Sequence, residues 1–198
     1  ALPRLQGATG TYLAVTGERI GLADACALGI VTHPVASAAM DEVLEELCAG
    51  EDIEQVLTAR AVAPGALRLA AERDMIDRCF AGGDIPDILN RLLKEAGQGS
   101  ENAGRLAALM RTKSPTSMAI ACEQMRRGPS LSFPEAMQLE YRIVSRIAQG
   151  YDFYEGVRAV IVDKDQAPKW RPAQVEEVTS EAIAAYFAPL PEGDLTID

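Results

Sequence analysis

The chain has little of what most catalytic motifs need. It carries one histidine, His33, and one tryptophan, Trp170, and aromatic residues are only 5% of its 198 positions. A Ser-His-Asp relay would have to pass through His33, yet no G-x-S-x-G elbow is present to hold a nucleophile. His33 lies beside Pro34 in an apolar run, a setting that reads as structural. The four cysteines, Cys26, Cys48, Cys79 and Cys122, are far apart with no C-x-x-C pair, so neither a zinc site nor a thioredoxin-like motif is indicated. They are expected to be buried free thiols in a reducing compartment. Cys26 and Cys122 fall in apolar helical stretches that raise a thiol pKa, which disfavours either as a nucleophile. No phosphate-cradling loop occurs, because the adjacent glycines Gly82-Gly83 are followed by Asp84 and not by a P-loop lysine. No metal or cofactor is called for.

Absences of charge and of long apolar runs narrow the partners. With 19 Lys+Arg against 29 Asp+Glu the formal charge is −10, and no nucleic acid is expected. No apolar run approaches the roughly 18 residues that span a bilayer, and the first residues lack the layout of a secretory signal. A soluble chain with no membrane partner is expected.

What is present is helix-forming sequence: 48% hydrophobic residues, mostly aliphatic, with abundant Ala, Leu and Glu. Residues 8–15 predict a short apolar helix closed by Gly17, and residues 22–28 a second closed by Gly29. The β-branched run 30–35 predicts the one strand, confined to an edge by Pro34. Apolar residues at steps of three and four predict amphipathic helices over 37–48, 52–60, 67–80, 85–95 and 102–111. Ser114-Pro115 places a cap and an N1 proline before a helix reaching Gly128. Ser132 and Glu135 form a capping box for the longest helix, which runs to Gly150. Its apolar face carries Met137, Leu139, Ile143, Val144 and Ile147, with Arg142 and Arg146 opposite. Helices over 154–161 and 180–187 follow. The fold class is mainly α, about ten helices with one or two short strands.

Two acids and one basic stretch stand out as candidate site residues. Glu140 and Glu155 read either as partners of Arg142, Arg146 or Arg158 that fix helix docking, or as working carboxylates; the docking role is the simpler. Arg158, Lys164, Lys169 and Arg171 form the one local excess of positive charge, and Trp170 lies among them. Such a patch suits the phosphates of a coenzyme A ligand, with Trp170 covering it. The competing reading has Trp170 filling an apolar gap and the basic groups paired with Asp163, Asp165 or Glu176-Glu177.

Three strings identify a family. Asp152-Phe153-Tyr154-Glu155-Gly156-Val157-Arg158 running to Asp163-Lys164-Asp165-Gln166-Ala167-Pro168-Lys169-Trp170 resembles the C-terminal region of 3-hydroxyisobutyryl-CoA hydrolases, within the crotonase (enoyl-CoA hydratase/isomerase) superfamily. Leu2-Pro3-Arg4-Leu5-Gln6-Gly7 and Lys113-Ser114-Pro115-Thr116-Ser117 agree with it in order. The resemblance implies the C-terminal helical part of a crotonase-like fold, with residues 1–35 ending the spiral core and 36–198 forming a helical region. It also implies an acyl-CoA thioesterase of valine breakdown whose carboxylate and oxyanion donors precede Ala1. No catalytic residue is therefore carried over, and the chain alone is expected to be inactive. The resemblance implies an acyl-CoA substrate for the whole protein, and a location in cytoplasm for a bacterial protein or the mitochondrial matrix for a eukaryotic one. Two other readings stay open, a portion of an enoyl-CoA hydratase or isomerase and a non-catalytic helical oligomerisation domain. Uncovered apolar stripes lead to the expectation of a homo-oligomer.

Overall fold

Apolar spacing and capping residues become eleven α-helices in the computed structural model, which describes residues 1–197. The chain divides into two units, one formed by Arg19–Asp74 with Ala1, the other by Leu2–Glu18 and the chain from Met75 onward.

The first unit holds α2 (Leu22–Ala27), α3 (Met40–Cys48) and α4 (Ile53–Ala59), and α3 packs on α4. Asp52 caps α4 by accepting the Gln55 N–H at 2.9 Å. Asp24, itself buried, accepts the N–H groups of Arg68 and Leu69, both at 3.0 Å, which satisfies a carboxylate that would otherwise be costly inside. The expected strand over 30–35 does not form. The segment is irregular, and only Val35 makes an isolated antiparallel bridge, to Ala61. β-Branched residues favour a pleated surface, but a strand needs a neighbouring strand to satisfy its backbone, and this unit offers one residue pair.

The second unit contains α1 (Thr9–Thr16), α5 from Met75 on (Arg73–Phe80), α6 (Ile85–Gly97), α7 (Glu101–Met110), α8 (Pro115–Arg127), α9 (Phe133–Ile147), α10 (Tyr151–Val157) and α11 (Ser180–Phe187). Helix α1 packs on α8, and α6 on α7. This unit buries Ile76, Phe80, Ile88, Leu92, Leu106 and Met110 almost completely, with Tyr12 edge-on to Phe80 at 5.3 Å. Each such side chain contributes about 1.5–3 kcal/mol over its exposed state. Gly10 is required here, since a Cβ would stand 2.1 Å from the Leu2 carbonyl oxygen. Gly17 ends α1 in the left-handed conformation, φ 65°, as its position predicted. A second cluster joins Ile120, Leu139, Ile143, Ile183 and Phe187 from α8, α9 and α11.

Three expectations are corrected. Arg142 and Arg146, offered as partners of Glu140 or Glu155, find others: Arg142 pairs with Asp194 and reaches the Phe187 carbonyl, while Arg146 donates to the carbonyls of Tyr186 and Pro189. Both guanidinium groups thus occupy the carbonyl end of α11, where positive charge is favoured. Val144 and Met137, read as core, are exposed. Of the cysteines only Cys79 is fully buried, and Cys48 is exposed; all four are free. Among the described residues no helix is long and apolar enough to cross a membrane.

Candidate functional site

The C-terminal string folds into a latch. Helix α10 presents Asp152 and Glu155 one turn apart, and a π-helical turn, Arg158–Val162, follows directly. The chain then doubles back through residues 163–171 across the acids of α10. Glu155 accepts the Lys169 N–H at 2.6 Å and Asp152 accepts the Arg171 N–H at 2.9 Å. Carboxylates three apart on a helix therefore meet amides two apart on an extended strap.

Arg158 closes the latch. Its Nε and Nη2 donate to the two oxygens of Glu155 at 2.9 and 2.8 Å, its Nη1 to Asp163 and Asp165 at 2.7 Å each, and Nη2 also to the Ala167 carbonyl at 3.2 Å. All five guanidinium hydrogens are thereby used. Asp165 also accepts the Ala167 N–H, and the turn carries Lys164 and Gln166 at φ 57° and 54°, left-handed conformations unusual for side chains of their length. The bidentate Arg158 contact, with the Lys169 amide, lowers the buried Glu155 carboxyl from 4.5 to about 2. The same acids, Glu155 first, raise the Arg158 guanidinium above its usual value.

The strap delivers the only tryptophan. Trp170 donates Nε1–H to the Thr112 carbonyl at 3.0 Å, and its ring sits over Gly156, where a methyl group would just touch it. Arg171 stacks its guanidinium on Tyr151, 4.2 Å from the ring centroid. Asp152 takes a second bond from Ser114 Oγ at 2.6 Å, tying the α8 N-cap to the latch. Trp170, Arg171, Asp152 and Ser114 line a pocket of about 150 Å³. A larger open groove, about 970 Å³, runs elsewhere in this unit between α1, α8 and α11, with Cys122 on its wall. Burial raises the Cys122 thiol.

The predicted basic residues are thus brought together, but not as equals. Arg158 is consumed by acids of its own segment, while Lys164 and Lys169 are exposed and Arg171 lies on an aromatic face. Glu155 pairs with Arg158 as the docking reading required. Glu140 accepts from the Gln124 amide, and among the described residues it makes no ion pair with an arginine. Sequence reasoning gave no role in the site to Asp152, Tyr151 or Thr112; Asp152 opens the string that carries the resemblance, and Tyr151 and Thr112 only adjoin such strings.

A helical layer whose specific strings serve to fasten one segment onto another is matched by a known family. The chain belongs to the enoyl-CoA hydratase/isomerase family, whose model matches residues 1–187. It is 37% identical to the mitochondrial 3-hydroxyisobutyryl-CoA hydrolase of Mus musculus, over 98% of this chain and 52% of that protein. It is also 37% identical to the Xenopus laevis protein of the same name, over 99% and 53%. Solved structures agree. A carnitinyl-CoA dehydratase from Mycobacterium thermoresistibile superposes with TM-score 0.85 at 34% identity, covering 97% of this chain and 54% of that one. An enoyl-CoA hydratase from Rhodobacter sphaeroides 2.4.1 gives 0.84 at 35%, covering 99% and 56%. The chain spans about half the length of the curated relatives it matches.

Proposed function

We propose that this chain is the C-terminal helical portion of an acyl-CoA thioester hydrolase acting on 3-hydroxyisobutyryl-CoA, and that it has no turnover of its own. The observation that carries the reading is the match along nearly the whole chain to hydrolases about twice as long. The use of its acids supports it too. Thioester hydrolysis needs a carboxylate that can take or share a proton and donors aimed at an oxyanion. Glu155 is fixed as an anion by Arg158, and Glu140 is spent on Gln124, so neither is poised for that work.

In this reading the latch serves substrate binding. Lys164, Lys169 and Arg171 contact phosphates of coenzyme A, Trp170 flanks the ligand, and Arg158 holds the strap that presents them. The chemistry resides in residues preceding Ala1 in the longer polypeptide. A second reading, a portion of a hydratase or isomerase, is favoured by the names of the two superposed structures.

Thiol release from 3-hydroxyisobutyryl-CoA is the test, with a substrate-free control for the four cysteines. The chain alone is expected to show no release above background, and a polypeptide that extends it to the relatives' length is expected to turn over. Sustained turnover by the 198 residues would sink the proposal. Hydration of an enoyl-CoA by the longer polypeptide, without thiol release, would favour the second reading.

A further inference from the structure

Each acid that holds the strap holds something else as well. Glu155 accepts the Lys169 N–H, and its two oxygens also take Arg158 from the turn that follows its own helix. Asp152 accepts the Arg171 N–H on one oxygen and the Ser114 hydroxyl on the other. With the strap lifted away, neither carboxylate is left without a partner, and the buried Glu155 keeps its ion pair. The penalty that usually keeps a segment closed over a buried charge, the cost of stranding that charge, is absent here.

Little else holds the strap down. No residue from 163 to 171 is buried, so hydrogen bonds and the half-buried Trp170 ring do the work that apolar packing does in the helices. Its two ends are fixed. On one side Arg158 gathers Asp163, Asp165 and the Ala167 carbonyl, and the Gln166 N–H donates to the Ala159 carbonyl at 3.1 Å. On the other side Glu177 accepts the N–H groups of Ala173 and Gln174, and the 3-10 turn Val175–Glu177 packs on α6 and α8. Between these ends lie residues 168–172, with a proline at each extreme and so only three N–H groups. Two of the three go to the acids of α10. Trp170 and Arg171 also wall the pocket of about 150 Å³, room for about five waters, whose lining includes the hydroxyl-bearing Ser114, Thr116, Ser117 and Tyr186.

We infer that residues 168–172 are a hinged flap. They swing off α10 as one unit between the two fixed ends, breaking the bonds of the Lys169 amide, the Arg171 amide and the Trp170 indole together and opening the pocket. The Arg158–Glu155 and Ser114–Asp152 contacts stay in place throughout, ready to receive the strap again. This device does not depend on the function proposed above, which concerns side chains of the closed strap. It adds to that reading a route of release, since Lys169, Trp170 and Arg171 leave the site in one motion.

Hydrogen exchange followed by NMR on the 198-residue chain is the test. The Lys169 and Arg171 amides and the Trp170 indole N–H should share one protection factor, on the order of 100-fold below those of the Leu92 and Leu106 amides. That shared value should not change with low concentrations of denaturant, because a short flap exposes little surface on opening. Trp170→Phe keeps a ring over Gly156 and removes the bond to Thr112. It should lower the protection of both amides roughly three- to tenfold, although neither amide is bonded to the indole. Asp152→Ala should do the same to the Lys169 amide and the indole, and serves if Trp170→Phe disturbs the fold. Protection factors that differ by more than about tenfold among the three groups, or that match those of α6 and α7, overturn the inference. So does a strap with no protection, which is never closed, or a variant effect confined to the bond removed. Thiol release is read separately, so failure here leaves the proposed chemistry standing.

Discussion

The two units of this chain are written in the same language of amphipathic helices, and they differ in what lies beneath. The second unit buries long aliphatic and aromatic side chains, Ile76, Phe80, Ile88, Leu92, Leu106 and Met110, to near completeness. The hydrophobic residues buried in the first are only Ala23, Ala25, Val43 and Val56, while Leu22, Met40, Leu44, Ile53 and Leu67 remain exposed. An apolar stripe is therefore necessary for a core but does not make one; stripes must be numerous enough to cover each other. In the first unit polar contacts share the task, with the buried Asp24 gathering two amides and the half-buried Arg60 reaching the exposed Glu42 and the half-buried Glu46.

Substitution in the two cores should separate them most sharply. Leu92→Ala removes a completely buried side chain and should cost about 2–5 kcal/mol in denaturant unfolding. Val43→Ala removes fewer atoms from a thinner interior and should cost about 1–2 kcal/mol, at about 0.8 kcal/mol per methylene. Hydrogen exchange gives the finer reading. Amides of α3 and α4 should exchange through local opening in both the wild type and the Val43→Ala variant, whereas those of α6 and α7 should report the global transition. Equal protection in all four helices would erase the distinction.

The latch provides the next test, at a site held by polar contacts. Arg158→Ala leaves the buried Glu155 without its ion pair and releases Asp163, Asp165 and the Ala167 carbonyl from the guanidinium that gathers them. Proteolytic cleavage in this segment should accelerate on the order of tenfold, and Trp170 emission should move to the red. Acid probes the same contact. The Glu155 carboxyl titrates near 2 in the folded chain, where Arg158 and then the Lys169 amide hold it ionised, and at 4.5 otherwise. The unfolded chain thus takes up the proton first as pH falls. The latch contribution is fully present above about pH 4.5 and is lost progressively toward pH 2. Glu155→Gln should remove that part of the stability-pH profile, and an unchanged profile would mean that Glu155 is not the group responsible.

How far the sequence could be read follows from how local each signal is. Helix starts were legible because a cap and its amide lie three residues apart: Ser114 and the Ser132-Glu135 box both act as placed. The strand over 30–35 misled because a strand depends on a neighbour that its own residues do not specify. Periodicity gave the angle of Arg142 and Arg146 around α9, but not that the end of α11 lies there. The latch string was legible as specific long before its geometry was. Arg158 looked like a ligand contact because charge density can be counted along a chain, whereas a turn through left-handed Lys164 and Gln166 that returns two acids to one guanidinium cannot. The acids themselves, Asp163 and Asp165, were foreseen as possible partners.

His33 offers the smallest effect and the last contrast between the units. It is the only imidazole in the chain, and its Nε2 lies 3.3 Å from Glu54 Oε1 in a contact open to solvent. A base in a hydrolytic relay needs a nucleophile within hydrogen-bond reach, and the neighbours of this ring are Glu54 and the hydroxyl of Thr32 at 3.1 Å. Threonine adjacent in sequence on an irregular segment lacks both the tight turn and the oxyanion donors of such a site. An exposed pair of this kind contributes little, so His33→Ala should shift stability by no more than about 0.5 kcal/mol. Thiol release by a longer polypeptide carrying this chain should be unaffected by the same change. A loss of more than about tenfold would place the ring in the chemistry and move attention from the well-packed second unit to the first.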